Sequence, residues 1–148
     1  MSNTSALYPY LTFDNTKAAL AYYQAVFGAE DVERLPVTKA AAEAMHIPSS
    51  VNYEDLTMHA VFTILGNWVY SSDNFNHDDQ LTNSTRLLID VDSGDAEMLK
   101  KAEALYHSFE TDDSVTILMP LADQGWGAKM GMVTDKYNVT WMLQIRKW

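Results

Sequence analysis

The chain has 148 residues, 47% of them hydrophobic, with a formal net charge of −10 and no cysteine. That charge argues against a phosphate-backbone partner, which requires a basic stripe, and against an anionic membrane surface. The missing cysteines exclude disulfides, thiolate metal sites and cysteine nucleophiles. The opening MSNTSALYPY lacks a basic segment followed by an apolar run, and no apolar stretch approaches the roughly 20 residues that span a bilayer. The expected location is therefore cytoplasmic.

In chain order, LYPYLTF (Leu7 to Phe13) is rich in aromatic and β-compatible residues and reads as a strand. Asp14, Asn15 or Thr16 then caps a helix whose apolar positions Ala19, Leu20, Tyr23, Val26 and Phe27 recur at helical spacing, and Gly28 stops it. DVERLPVT reads as a strand that Pro36 confines to an edge or a bulge. KAAAEAMHIP reads as a short helix ending before Pro48. LTMHAVFTILGNWVYSSDN reads as a hairpin with Gly66-Asn67 as its two-residue turn. FNHDDQLTNS, polar and turn-rich, is the best linker. TRLLIDVDSGDAEMLKKAEALYHSF repeats the opening scheme, with Ser93 or Asp95 as helix cap. SVTILMPLAD reads as a further strand and AKMGMVTDKYNVTWMLQI as a second hairpin.

The order strand, helix, three strands thus occurs twice, with Phe13 matching Val91, and such self-similarity is a topology signal. Each half has too little core to stand alone, so the halves are expected to pack together.

YPYLTFDNTKAALAYYQAVFGAE, MHAVFTI, YSSD and GWGAKMGMVTD together resemble the PhnB-like branch of the vicinal oxygen chelate superfamily, which includes the glyoxalases. The resemblance implies an α+β fold in which two βαβββ modules, about 7–75 and 84–146, form curved mixed sheets around a cavity. Helices would lie on the convex side of one glyoxalase-like domain spanning 1–148. Metal-dependent relatives place His or Glu/Gln ligands at two strand positions per module. In this chain those positions match Tyr8, Tyr70, Arg86 and Met142, none a usual ligand for a divalent metal. No metal and no cofactor are therefore expected. No glycine-rich loop follows a strand, so the methyltransferase label often given to this branch finds no nucleoside-cofactor site. The resemblance also implies a homodimer.

Side chains two apart on a strand share a face, so Tyr8, Tyr10 and Thr12 point together, as do Arg86 and Leu88. A Gly66-Asn67 turn pairs Leu65 with Trp68, Thr63 with Tyr70, Val61 with Ser72 and His59 with Asn74, placing His59 on the Tyr70 face. Met142 and Gln144 share a face, expected opposite Gly131 and Lys129. The candidate ligand-binding set is Tyr8, Tyr10, Tyr70, Arg86, Trp126 and Gln144, with His59 as a candidate proton shuttle. Aromatic walls with sparse polar anchors are the usual build of a ligand pocket, and a guanidinium such as Arg86 suits planar anions. The plainer readings stay open. Tyr8 and Tyr10 would then be half-buried core residues, His59 a satisfied strand histidine, Arg86 a surface residue paired with an acid such as Asp90, and Trp126 a core plug.

His46, His59, His77 and His107 fall on separate elements, which gives no zinc cluster. NHDDQ lies in the linker, and Asp90, Asp92, Asp95 and Glu97 lack calcium-loop spacing. Three functions follow: a small-molecule-binding protein for an anionic or aromatic compound, a metal-independent lyase, isomerase or transferase acting on a small polar metabolite, or a non-catalytic structural protein.

Overall fold

The computed structural model describes residues 4–76, 79–80, 82 and 84–148. The chain divides into two compact units, Met1–Asp79 and Gln80–Trp148. His77 and Asp78 of the NHDDQ segment lie outside the described residues.

In the first unit, β1 (Tyr10–Phe13) leads into α1 (Thr16–Phe27), followed by β2 (Glu30–Pro36), the short α2 (Lys39–Ala44) and a 3-10 turn at Tyr53–Asp55. The hairpin β3 (Thr57–Ile64) and β4 (Asn67–Asp73) completes it. The sheet order is β1-β4-β3-β2, with β1 parallel to β4 and the other pairs antiparallel. The Asn15 side chain accepts from Ala18 N, capping α1, and Gly28 ends the helix in the left-handed conformation at φ 66°. The α1 positions read from helical spacing, Ala19, Leu20, Tyr23, Val26 and Phe27, are all buried. They cover the face of the sheet that carries Leu11, Phe13, Ala60, Phe62, Ile64 and Val69, and Tyr23 stacks on Phe62 at 5.2 Å. The expected strand at Leu7 begins only at Tyr10. Pro36 ends an edge strand at a register shift, as a residue without an N–H should.

The second unit repeats the topology: β5 (Arg86–Asp92), α3 (Ala96–Thr111), β6 (Thr116–Asp123), β7 (Ala128–Thr134) and β8 (Thr140–Arg146), in sheet order β5-β8-β7-β6. Asp95 is the α3 cap, its side chain accepting from Met98 N. The fold is α+β, built of two βαβββ modules. Among the described residues, no helix is long and apolar enough to cross a membrane.

Both hairpins differ in register from the sequence expectation. The first turn is Leu65-Gly66, with Ile64 opposite Asn67 and Val61 opposite Tyr70. Asn67 is held outside the turn because its side-chain amide donates to the carbonyls of Ile64 and Leu65. The slip from expectation is two residues, an even number, so every side chain keeps its expected face. In the second hairpin, Met142 faces Met132 and Gln144 faces Met130, whereas Gly131 and Lys129 face Leu143 and Ile145. This slip is odd and moves Gly131 to the buried side. Near register shifts in β6, the Leu121 backbone comes to 3.1 Å from where a Gly131 Cβ would sit, so a side chain there requires that backbone to give by a few tenths of an ångström.

Candidate ligand cleft in the first module

Alternation along each strand sorts the first sheet into two faces. Leu11, Phe13, Val69 and Phe62 go under α1, and Tyr10, Thr12, Tyr70, Val61 and His59 go to the helix-free face. Just before β1, the Pro9 carbonyl accepts from Tyr70 N at 3.0 Å, extending the parallel pairing by one link. Tyr8 is thereby delivered onto Tyr70. Their rings stack with centroids 4.8 Å apart and planes 19° from parallel. His59 meets Tyr70 edge-on at 5.5 Å, and Tyr10 stands 6.3 Å from His59.

Beside these rings lies a cleft of about 530 Å³. Tyr8, His59 and Tyr70 line it, joined by Val61, Trp68, Glu33, Arg34 and Leu35. Tyr8 is 44% exposed and Trp68 41%, so large ring areas face the opening rather than a core. Of the expected site residues, Tyr8, Tyr70 and His59 are brought together here, with Tyr10 alongside. Trp68, Glu33 and Leu35 were not anticipated. Alternation along β2 shows that Glu33 and Leu35 share a face, but which face cannot be read until the pairing with β3 is fixed.

Arg86, Trp126 and Gln144 belong to the second module. Arg86 opens β5 opposite Thr140 and is exposed. Gln144 donates to Asp90 at 3.1 Å, and Arg146 donates to the same carboxylate through Nε at 3.2 Å and Nη2 at 2.7 Å. Asp90 thus forms an ion pair with Arg146, a partner that the sequence reading did not name. Burial pushes the Asp90 carboxyl upward, yet the hydrogen bonds from Gln144 and Arg146, with the Arg146 charge, outweigh it and hold the pKa below the usual 3.8. Trp126 lies in the β6–β7 loop between Gly125 and Gly127, both at positive φ, and its side chain is 60% exposed. That rules out the core-plug reading; the buried indole of this module is Trp141.

The four positions that resemblance assigns to metal ligands hold a stacked tyrosine pair, an arginine and a methionine facing Leu88 and Met132. Such a donor set does not fit a hard or borderline divalent ion. Among the described residues, no three His, Cys, Asp or Glu side chains group to hold one.

No protein-family model matches the chain. Protein YjdN of Escherichia coli K12 is 26% identical over 147 residues, covering 95% of each chain. Protein PA1353 from Pseudomonas aeruginosa superposes with a TM-score of 0.69 at 25% identity, covering 98% of this chain and all of that one. The PhnB protein from Bacillus cereus gives 0.62 at 22% identity, over 95% and 99% of the two chains. The fosfomycin resistance protein FosX from Listeria monocytogenes, solved with Mn(II) and 1S,2S-dihydroxypropylphosphonic acid, shares the fold with a TM-score of 0.56 at 14% identity, over 99% and 95%. The chain therefore shares the fold of these proteins, the glyoxalase fold of the vicinal oxygen chelate superfamily. In sequence it is similar to the PhnB protein and to YjdN.

Proposed function

We propose that this PhnB-like protein binds a small organic molecule in the first-module cleft, through Tyr8, Tyr70 and Trp68, without the metal chemistry of its superfamily. The observation that carries the reading is the Tyr8–Tyr70 stack beside a cleft of about 530 Å³, with His59 edge-on to it. That size falls in the range of small-molecule sites, and apolar walls with few polar anchors are their usual lining. Tyr10 extends the same aromatic surface. Arg86, Trp126 and Gln144 are proposed as ligand-contacting residues of the second module. FosX, of the same fold, was solved with a small phosphonate, which supports small-molecule binding as a use of this architecture.

Untargeted mass spectrometry of gently purified protein tests the reading. A compound retained by the native chain and lost from Tyr70→Ala is expected. Retention that is equal in both would overturn the first-module site.

A metal-independent enzyme is the second reading, favoured by the position of His59 between Tyr10 and Tyr70, where an imidazole can exchange protons with a bound polar group. His59→Gln would then abolish turnover of the retained compound while leaving its binding within about threefold. We further propose a homodimer in the cytoplasm. A dimer mass in light scattering at micromolar concentration, and recovery in the soluble cytoplasmic fraction, are the checks.

A further inference from the structure

The first-module cleft carries a sign of charge as well as a shape. On β2, Glu33 lies opposite Val61 and Leu35 opposite His59, whereas Arg34 lies opposite the buried Ala60. Alternation therefore turns the Glu33 carboxylate toward the cleft face, while Arg34, which also borders the cleft, sends its guanidinium toward Glu54, Leu56 and Thr57. Arg34 is committed there. Its Nη1 donates to Leu56 O and Thr57 Oγ1, each at 3.2 Å, and its Nη2 donates to Glu54 O at 2.9 Å, with the Glu54 carboxylate 3.7 Å away. Glu33 is exposed and has no hydrogen-bond or ion-pair partner among the described residues.

Glu33, Val61 and Tyr70 form one row across β2, β3 and β4. Two strand spacings put Glu33 and Tyr70 about 10 Å apart at the backbone, with only the short Val61 side chain between them. A gap of that width has a carboxylate on one side and, on the other, the tyrosine pair and Trp68. The faces of tyrosine and tryptophan rings are negative and attract cations, most strongly quaternary ammonium groups that shed water easily. The net charge of −10 works in the same direction at long range.

We propose that the first-module cleft recognises an organic cation, a quaternary ammonium or protonated amine on a compact body. Glu33 supplies the counter-charge, and Tyr8, Tyr70 and Trp68 supply the ring faces. The inference rests on the small-molecule reading above and adds to it the class of ligand.

The test compares three probes of nearly one shape on the full chain. They are choline, neohexyl alcohol (choline with carbon in place of nitrogen) and the anion tert-butylacetate. NMR follows the Trp68 indole and Tyr70 ring signals, so that binding elsewhere is not counted. Choline is expected to bind about three- to fivefold more tightly than neohexyl alcohol, with tert-butylacetate weakest. Glu33→Gln should narrow the choline advantage and leave neohexyl alcohol unchanged, and added salt should narrow it as well. Glu33 is exposed on an edge strand, so an unchanged thermal melt is expected for the variant. If tert-butylacetate matches choline, or if Glu33→Gln leaves the preference intact, the charge assignment is overturned while the small-molecule cleft stands. If no probe moves the Trp68 or Tyr70 signals at millimolar concentration, both fall.

Discussion

At Leu65 the backbone takes φ 50°, and at the following Gly66 it takes φ 79°. Positive φ at both central residues is the signature of a tight hairpin turn matched to strand twist. Glycine adopts it freely; leucine pays a steric penalty between Cβ and backbone. Leu65→Asn should relieve part of this, since asparagine tolerates the left-handed region, and Asn-Gly is the preferred pair for such a turn. A gain of about 0.5–1 kcal/mol in urea unfolding is expected; a loss would show that the Leu65 side chain contributes more by packing than its backbone costs. The same residue explains why the turn was misplaced from sequence. Glycine and asparagine both signal turns, and only the amide of Asn67 bonding back to Ile64 and Leu65 decides between the two placements.

Each module is tied together by one buried carboxylate near the end of a strand. Asp73, at the end of β4, accepts from Thr16 N at the start of α1 and from Thr57 N at the start of β3, both at 2.9 Å. Asp135, after β7, accepts from Tyr137 N, Val139 N and Trp141 Nε1, fixing the loop that leads into β8. Asp73→Ala would leave two buried donors without a partner. We expect a loss of about 2–4 kcal/mol by chemical denaturation, with Asp73→Asn costing less because its carbonyl still accepts one bond. A change within about 0.5 kcal/mol would show that water replaces the carboxylate.

The β5–β8 pair contributes to the acid dependence. Since the native pKa of Asp90 lies below its ordinary value, the stability it contributes is fully present above about pH 5. It is lost as pH falls below 3.8 and through the depressed native value. Asp92, lowered by the Gly94 and Trp148 backbone N–H groups, acts with the same sign. Urea melts between pH 5 and pH 3 should therefore show a shallower acid decline in Asp90→Asn than in the native chain; parallel declines would contradict this.

Across the whole molecule, the duplicated module is the dominant fact, and it determines what to expect of metals. The positions that the resemblance assigns to metal ligands in the two modules hold Tyr8, Tyr70, Arg86 and Met142. Elemental analysis after dialysis against a weak chelator is expected to show well under one equivalent of zinc, nickel, iron or manganese. A stoichiometric metal would mean that ligands outside this set are recruited.

The repeat, the helices with their buried stripes, and the β-strand periodicity are legible in the amino-acid order alone. These are set by local propensity and by apolar spacing within a few residues. Asn15, Gly28 and Asp95 act where their types predict. That order also placed His59 on the Tyr70 face, because a two-residue slip preserves alternation; Tyr8 joins them through the β1–β4 pairing. Everything that depends on which strand lies beside which emerges with the folded chain. That includes the odd slip that buries Gly131 against the Leu121 backbone, the choice of Arg146 as partner of Asp90, and the exposed position of Trp126. The Glu33–Val61–Tyr70 row belongs to the same class, since its members come from three strands. Alternation fixes a side chain relative to its own strand, but a site is made by neighbours across strands, and that adjacency is created by hydrogen bonding and packing between distant segments.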